Sequence, residues 1–176
     1  MQRSRYKLLL LAAAVALPTV ANATVYMTVE QAQAVMFPHQ MLKQDFRTLT
    51  PDQVTQIRKA AGVSPLSKTL KAWRAQDGGW FIVDEVVGKH EFITYAVSLD
   101  AAGAVRDVEI LDYREAYGGQ VRDDRWRQQF VGKRAGQSLK LGTDIKNISG
   151  ATLSSKHVTD GVRRLLATHA VVLAHG

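Results

Sequence analysis

TLKAWRAQDGGWFIVDEVVGKHEFITYAVSLDAAGAVRDVEILDY, residues 69–113, is the stretch whose reading decides the fold. Four runs within it, 69–75, 80–87, 91–99 and 105–113, are rich in β-branched and aromatic side chains. Asp77-Gly78-Gly79, Gly88-Lys89 and Ala101-Ala102-Gly103 separate them. Runs of that length joined by short glycine-bearing turns predict an antiparallel meander of about four strands.

Helical signals flank the meander. Upstream, Thr28-Val29-Glu30-Gln31 reads as a capping box opening a short helix, with Ala32, Val35 and Met36 on its apolar face. Phe37-Pro38 ends it, because proline disfavours helical geometry in the residue before it. Thr50-Pro51-Asp52-Gln53 is a second box, followed by Val54, Ile57 and Ala61 at helical spacing and by Gly62 as a stop. Downstream, residues 123–131 predict a short helix carrying Trp126 and Phe130 on one face, and 140–148 lead onward through a short strand. The final helix is expected from about 154 to 174. Its inward stripe is Val158, Val162, Leu165, Leu166, Val172 and Leu173, with Lys156, Arg163 and Arg164 mostly outside it. Gly161 marks a place where that helix approaches the sheet closely. Together these elements predict one α+β domain, an antiparallel meander packed by helices.

The first residues read as a leader. Arg3, Arg5 and Lys7 precede an apolar run interrupted by Pro18, and Ala21-Asn22-Ala23 is a small-x-small cleavage site. Residues 1–23 are therefore expected to be a secretory signal peptide, an uncleaved anchor being the alternative. Without twin arginines the general secretion route applies, so the chain is exported unfolded and without cofactor. Removing the three leader cations leaves 20 basic against 16 acidic residues, about +4 in place of +7. These charges are scattered and accompany no nucleic-acid motif, so nucleic acid is discounted as a partner. The chain has no cysteine, which excludes disulfides, thiolate metal ligands and cysteine nucleophiles. Its five histidines show no paired metal-ligand spacing.

The chemistry-bearing segment is Ser149-Gly150-Ala151-Thr152-Leu153-Ser154-Ser155. Small residues before Thr152 leave its hydroxyl uncrowded at a helix N-terminus, where free backbone N–H groups favour an anion. Leu153, Ser154 and Ser155 are expected to supply those N–H groups, with Lys156 screening the charge. The plain alternative is a helix start capped by small polar residues. A second segment, Glu115-Ala116-Tyr117-Gly118-Gly119, ends the last predicted strand, and Trp126 and Phe130 follow it.

The two segments together resemble the flavinylation motif and the Glu-containing glycine loop of FMN-binding domains. That family includes the covalently flavinylated subunits of sodium-translocating NADH:quinone reductase and of the Rnf complex. The resemblance covers roughly residue 75 to the C-terminus. Three regions are then expected: the leader over 1–23, an N-terminal helical segment over 24–66 that lies outside the resemblance, and an FMN-binding domain over 67–176. It further implies FMN joined through its phosphate to Thr152, placed there by a flavin transferase that uses FAD and Mg²⁺ and releases AMP. Glu115, Tyr117 and Gly118 are then the expected ring contacts; Trp126 and Phe130 stand equally as core residues or ring neighbours. Ser154 and Ser155 are either caps or rival acceptors. Two positions depart from the family pattern: Lys146-Asn147 where an acidic residue usually stands, and Ala116-Tyr117 where Thr-Pro is common. The implied role is a periplasmic electron carrier between membrane or periplasmic redox proteins. A binding module without catalysis and an exported flavin-dependent reductase are the alternatives.

Overall fold

Trp80, Phe81, Ile82 and Val83 are buried in succession, which a strand permits only when both faces of its sheet are covered. The computed structural model describes residues 24–174 and shows what covers them. The leader expected over residues 1–23 lies outside the described residues. The sheet contains β1 (Thr24–Val25), β2 (Leu42–Gln44), β3 (Arg47–Thr48) and the meander β4 (Thr69–Ala75), β5 (Trp80–Val87), β6 (Phe92–Leu99) and β7 (Val105–Tyr113). The order is β1-β7-β6-β5-β4-β2, with β3 also paired to β4. All pairings are antiparallel. The meander follows the sequence reading almost residue for residue. The segment before it, read as helical, also adds three short strands, β1 beside β7 and both β2 and β3 beside β4.

The helices are α1 (Val29–Met36), α2 (Pro51–Ala61), α3 (Asp124–Arg127) and α4 (Thr152–Thr168). Both predicted capping boxes form, on Thr28 with Gln31 and on Thr50 with Gln53, and Gly62 closes α2 with a left-handed φ of 73°. Phe81, Val83, Ala96 and Leu111 face one side of the sheet, where Ala32 and Met36 of α1 cover them together with Phe37. Val35, expected on that apolar face, is exposed instead, and the buried place is filled by Phe37 just past the helix end. Trp80, Ile82, Val86, Ile93, Tyr95, Val97 and Ile110 face the other side, against Ile57 of α2 and the α4 stripe.

That stripe is buried as predicted at Val158, Val162, Leu165 and Leu166, and it continues through Val172 and Leu173 in a π-helical turn, His169–Leu173. Three expectations change here. The last helix begins at Thr152 rather than near Ser154. Residues 140–148 form turns with a single bridge between Leu141 and Ile145 rather than a strand. Arg164 is buried, because its Nη2 reaches Asp84 of β5 at 2.6 Å and the carbonyl of Glu85 at 2.7 Å. Asp84 also accepts from the Tyr95 hydroxyl at 3.1 Å, so the buried charge is paired and hydrogen-bonded. Arg163 is half-buried, binding the carbonyls of Ala61 at 2.7 Å and Leu139 at 2.6 Å.

Gly161 is the close approach that the sequence implied. A Cβ there would stand 2.5 Å from the Tyr95 hydroxyl and 2.8 Å from a Val86 methyl. Neither neighbour can retreat easily: Tyr95 is held by Asp84 and Val86 is in the core. Gly161→Ala sets a helix-propensity gain of up to about 1 kcal/mol against overpacking of about 1–3 kcal/mol. Net destabilisation is expected in urea unfolding; a stabilised variant would show that the contact yields freely.

Candidate functional site

Tyr113, the last residue of β7, joins the two segments singled out in the sequence. Its hydroxyl donates to the carbonyl of Tyr117 at 2.5 Å and lies 2.9 Å from Ser154 Oγ. A phenol has one proton, so with that proton on the carbonyl the Ser154 hydroxyl is the donor of the second bond. Burial pushes the Tyr113 phenol above its usual range, the Ser154 hydrogen bond opposing this only in part. Gly118 completes the contact with φ of 96°; a Cβ there would meet the Tyr113 hydroxyl at 2.5 Å and Ser154 Oγ at 2.6 Å. The glycine is thus required both by its backbone angle and by the space available. The loop after β7 and the first turn of α4 are one packed unit.

Thr152 is the first residue of α4, and its side chain is exposed. Gly150, at φ of 81°, has nothing within 4 Å of where a Cβ would be. Ala151 is the N-cap and supplies no side-chain hydrogen bond. The backbone N–H of Ser155 closes the first helical turn on the Ala151 carbonyl at 2.9 Å. The N–H groups left without a helical partner are therefore those of Thr152, Leu153 and Ser154, one residue earlier than the sequence implied. Ser154 and Ser155 are neither caps nor accessible acceptors. Both are buried, Ser154 on Tyr113, and Ser155 with a hydroxyl that has no partner among the described residues. Leu153 is exposed. Lys156 is drawn to Asp160 at 2.7 Å, away from the screening role expected of it.

Glu115 has a structural task. Its carboxylate accepts from the backbone N–H groups of His90 at 2.5 Å and Glu91 at 3.0 Å, fastening the β5–β6 turn to the loop after β7. Burial works to raise its pKa, but the N–H groups of Glu91, His90 and Lys89 outweigh that and hold it below its ordinary 4.5. Trp126 is buried edge-on to Phe130, with ring centroids 5.2 Å apart. Its indole N–H donates to the Lys146 carbonyl at 2.7 Å, while Gln129 accepts from the Lys146 N–H at 2.8 Å. These two side chains brace the backbone that leads into Ser149.

An open cleft of about 610 Å³ lies beside Gly150, lined also by Tyr26, Ala116, Tyr117, Gly118 and Gln120. Tyr117 is 86% exposed at its rim. A second cleft of about 520 Å³ borders Gln120, Trp126, Lys146 and Ile148. A larger cleft, about 840 Å³, sits against Ala61, Leu139, Arg163 and Leu166. Those α4 residues lie roughly 16 Å or more along the helix from Thr152, so size alone does not locate the chemistry. Three residues at the site carry no signal of their own in the sequence. Tyr26 arrives through the β1–β7 pairing, its ring centroid 3.5 Å from the Arg122 guanidinium carbon. Gln120 sits in the 3₁₀ turn Gly119–Arg122. Asn147 donates from Nδ2 to Thr152 Oγ1 at 3.0 Å.

Residues 88–167 match the model of a family described as the FMN-binding domain. That stretch is similar to the FMN-binding domain family. The match runs from the β5–β6 turn through most of α4, and so takes in both segments joined at Tyr113. The match suggests a flavin-binding role for this stretch. No curated protein matches the chain.

The depressed Glu115 carboxyl has a consequence for acid stability. A carboxylate with a lowered folded pKa contributes stability above its unfolded value and loses it as the pH falls through the folded one. The protein is expected to lose stability below pH 4.5, and Glu115→Gln to flatten that fall. Urea midpoints measured across the acid range check this; an unchanged slope would show that Glu115 carries none of it.

Proposed function

We propose that this chain is an electron-transfer flavoprotein holding FMN by a phosphoester bond to Thr152. One observation carries the reading: an exposed threonine hydroxyl opens a helix beside an unobstructed glycine and an open cleft built by the second motif segment. The residues fit the group they would hold. The N–H groups of Thr152, Leu153 and Ser154 face the charge of a phosphodiester. Gly150 leaves room beside the phosphate. The cleft volume is within the range of small-molecule sites, and its Tyr26 and Tyr117 rings offer flat apolar surface.

An exposed charge–dipole contact is worth roughly 0.3–1 kcal/mol, too little to retain a cofactor, so the covalent bond does the holding. FMN supplies one-electron and two-electron chemistry when attached. The chain's part is to orient it in a shallow cleft open to other redox proteins. The expected leader puts this work in the periplasm, after export and modification by a flavin transferase using FAD and Mg²⁺. Its partners would be a membrane donor and a periplasmic or membrane acceptor. No described helix is long and apolar enough to cross a membrane.

Intact mass of the full chain made with the transferase tests the attachment. A gain equal to one FMN less water is expected, and it should vanish in Thr152→Ala with little change in thermal stability, because the side chain is exposed. An unmodified wild-type chain, or a flavin retained by the variant, would overturn the assignment.

A further inference from the structure

The hydroxyl of Thr152 has a hydrogen-bond partner. Asn147 Nδ2 donates to its oxygen at 3.0 Å, across a tight turn in which the Ala151 N–H meets the Ile148 carbonyl at 3.0 Å and Gly150 adopts φ of 81°. Asn147 is presented from a braced backbone. Its neighbour Lys146 is bound through its carbonyl by Trp126 and through its N–H by Gln129.

We propose that Asn147 is the positioning residue for modification of Thr152. The inference rests on the reading of Thr152 as the FMN attachment point and adds to it how the hydroxyl is made ready. Threonine in a helix divides between two χ1 rotamers, so an unaided hydroxyl spends part of its time turned away. The amide N–H of Asn147 selects one rotamer. A hydroxyl oxygen has two lone pairs and one proton. With one lone pair on Asn147, the other is left for phosphorus and the O–H bond points outward for a base of the transferase.

In the transfer, Thr152 Oγ1 forms a bond to the phosphorus on the FMN side of the FAD pyrophosphate. The bond from that phosphorus to the bridging oxygen breaks, and AMP leaves with the bridging oxygen and its electron pair. The hydroxyl proton passes to the transferase base, and no redox change occurs. Exposed Lys146 next to Asn147 adds a positive charge beside the incoming pyrophosphate. Once the ester forms, the same N–H lies within reach of a phosphodiester oxygen. Held geometry of this kind acts on the rate at saturation more than on recognition.

The test follows flavinylation by intact mass, using the full chain made without transferase and then supplied with transferase, FAD and Mg²⁺. Asn147→Ala should lower the rate at saturating acceptor by about tenfold, leaving the half-saturating acceptor concentration and the thermal midpoint unchanged. Asn147→Leu, which keeps the approximate size but has no N–H to donate, should also be slow. Either variant modified at the wild-type rate would overturn the proposal, as would a loss confined to half-saturation. A wild-type chain that stays unmodified, or is labelled at a residue other than Thr152, would overturn the Thr152 reading itself. Wild-type labelling at Thr152 with unaffected Asn147 variants would overturn only the role of Asn147.

Discussion

A helix can lie on a sheet only as closely as the side chains between them allow, and at Gly161 there is none. The Tyr95 hydroxyl and Val86 occupy the space a methyl would need. One turn further on, Arg164 reaches down to the same Asp84 that holds Tyr95. Close approach and buried charge thus act at one place, and neither works without the other. A bulkier residue at 161 would lift α4 and stretch the ion pair, while loss of Asp84 would leave Arg164 buried and uncompensated. With the middle of α4 fixed in this way, its first turn has a fixed position too. The Ser154–Tyr113 hydrogen bond and the notch at Gly118 then seat that turn on the end of β7.

The site is layered around this seating. Residues that meet the sheet are satisfied inward: Ser154 on Tyr113, Glu115 on the β5–β6 turn, Trp126 on the Lys146 carbonyl. The side chains that face out at Thr152, Leu153 and Tyr117 have no such commitments, apart from the single bond from Asn147 to Thr152. The motif serines and the loop glutamate are thus part of the mount. What the mount displays is a threonine hydroxyl, three helix-end N–H groups and a cleft.

Much of this was legible in the chain. The meander could be read because its strands are long, β-branched and separated by glycine turns. Thr28 and Thr50 declared their helices through boxes whose chemistry is local. Gly161 could be read as a close approach because glycine in a helix interior costs stability without such a reason. Where reading failed, the deciding contact lay far off in sequence. Arg164 looks solvated from its neighbours alone, and only the 80-residue separation to Asp84 buries it. Val35 fits the helical period, but Phe37 after the helix end takes the buried place. The bonds from Glu115 to the His90 and Glu91 N–H groups likewise join residues some 25 apart in sequence, which the motif loop alone does not announce. Tyr26 reaches the site only through strand pairing, and Asn147 only because a turn folds it back.

An open cleft and a covalent tether are two halves of one physical solution. An enclosed pocket retains a flavin by burying most of its surface, and it also hides the ring from large partners. The cleft beside Gly150 is shallow, and the helix-end N–H groups contribute about 1 kcal/mol at most when exposed. On the proposed reading, the bond at Thr152 removes the need for enclosure, since a tethered ring needs orientation rather than affinity. Orientation is what the site supplies: a fixed helix start, a glycine that clears space, and tyrosine surfaces at the rim. That arrangement favours exchange of electrons with another protein over capture of a small substrate, which would need walls this cleft does not have.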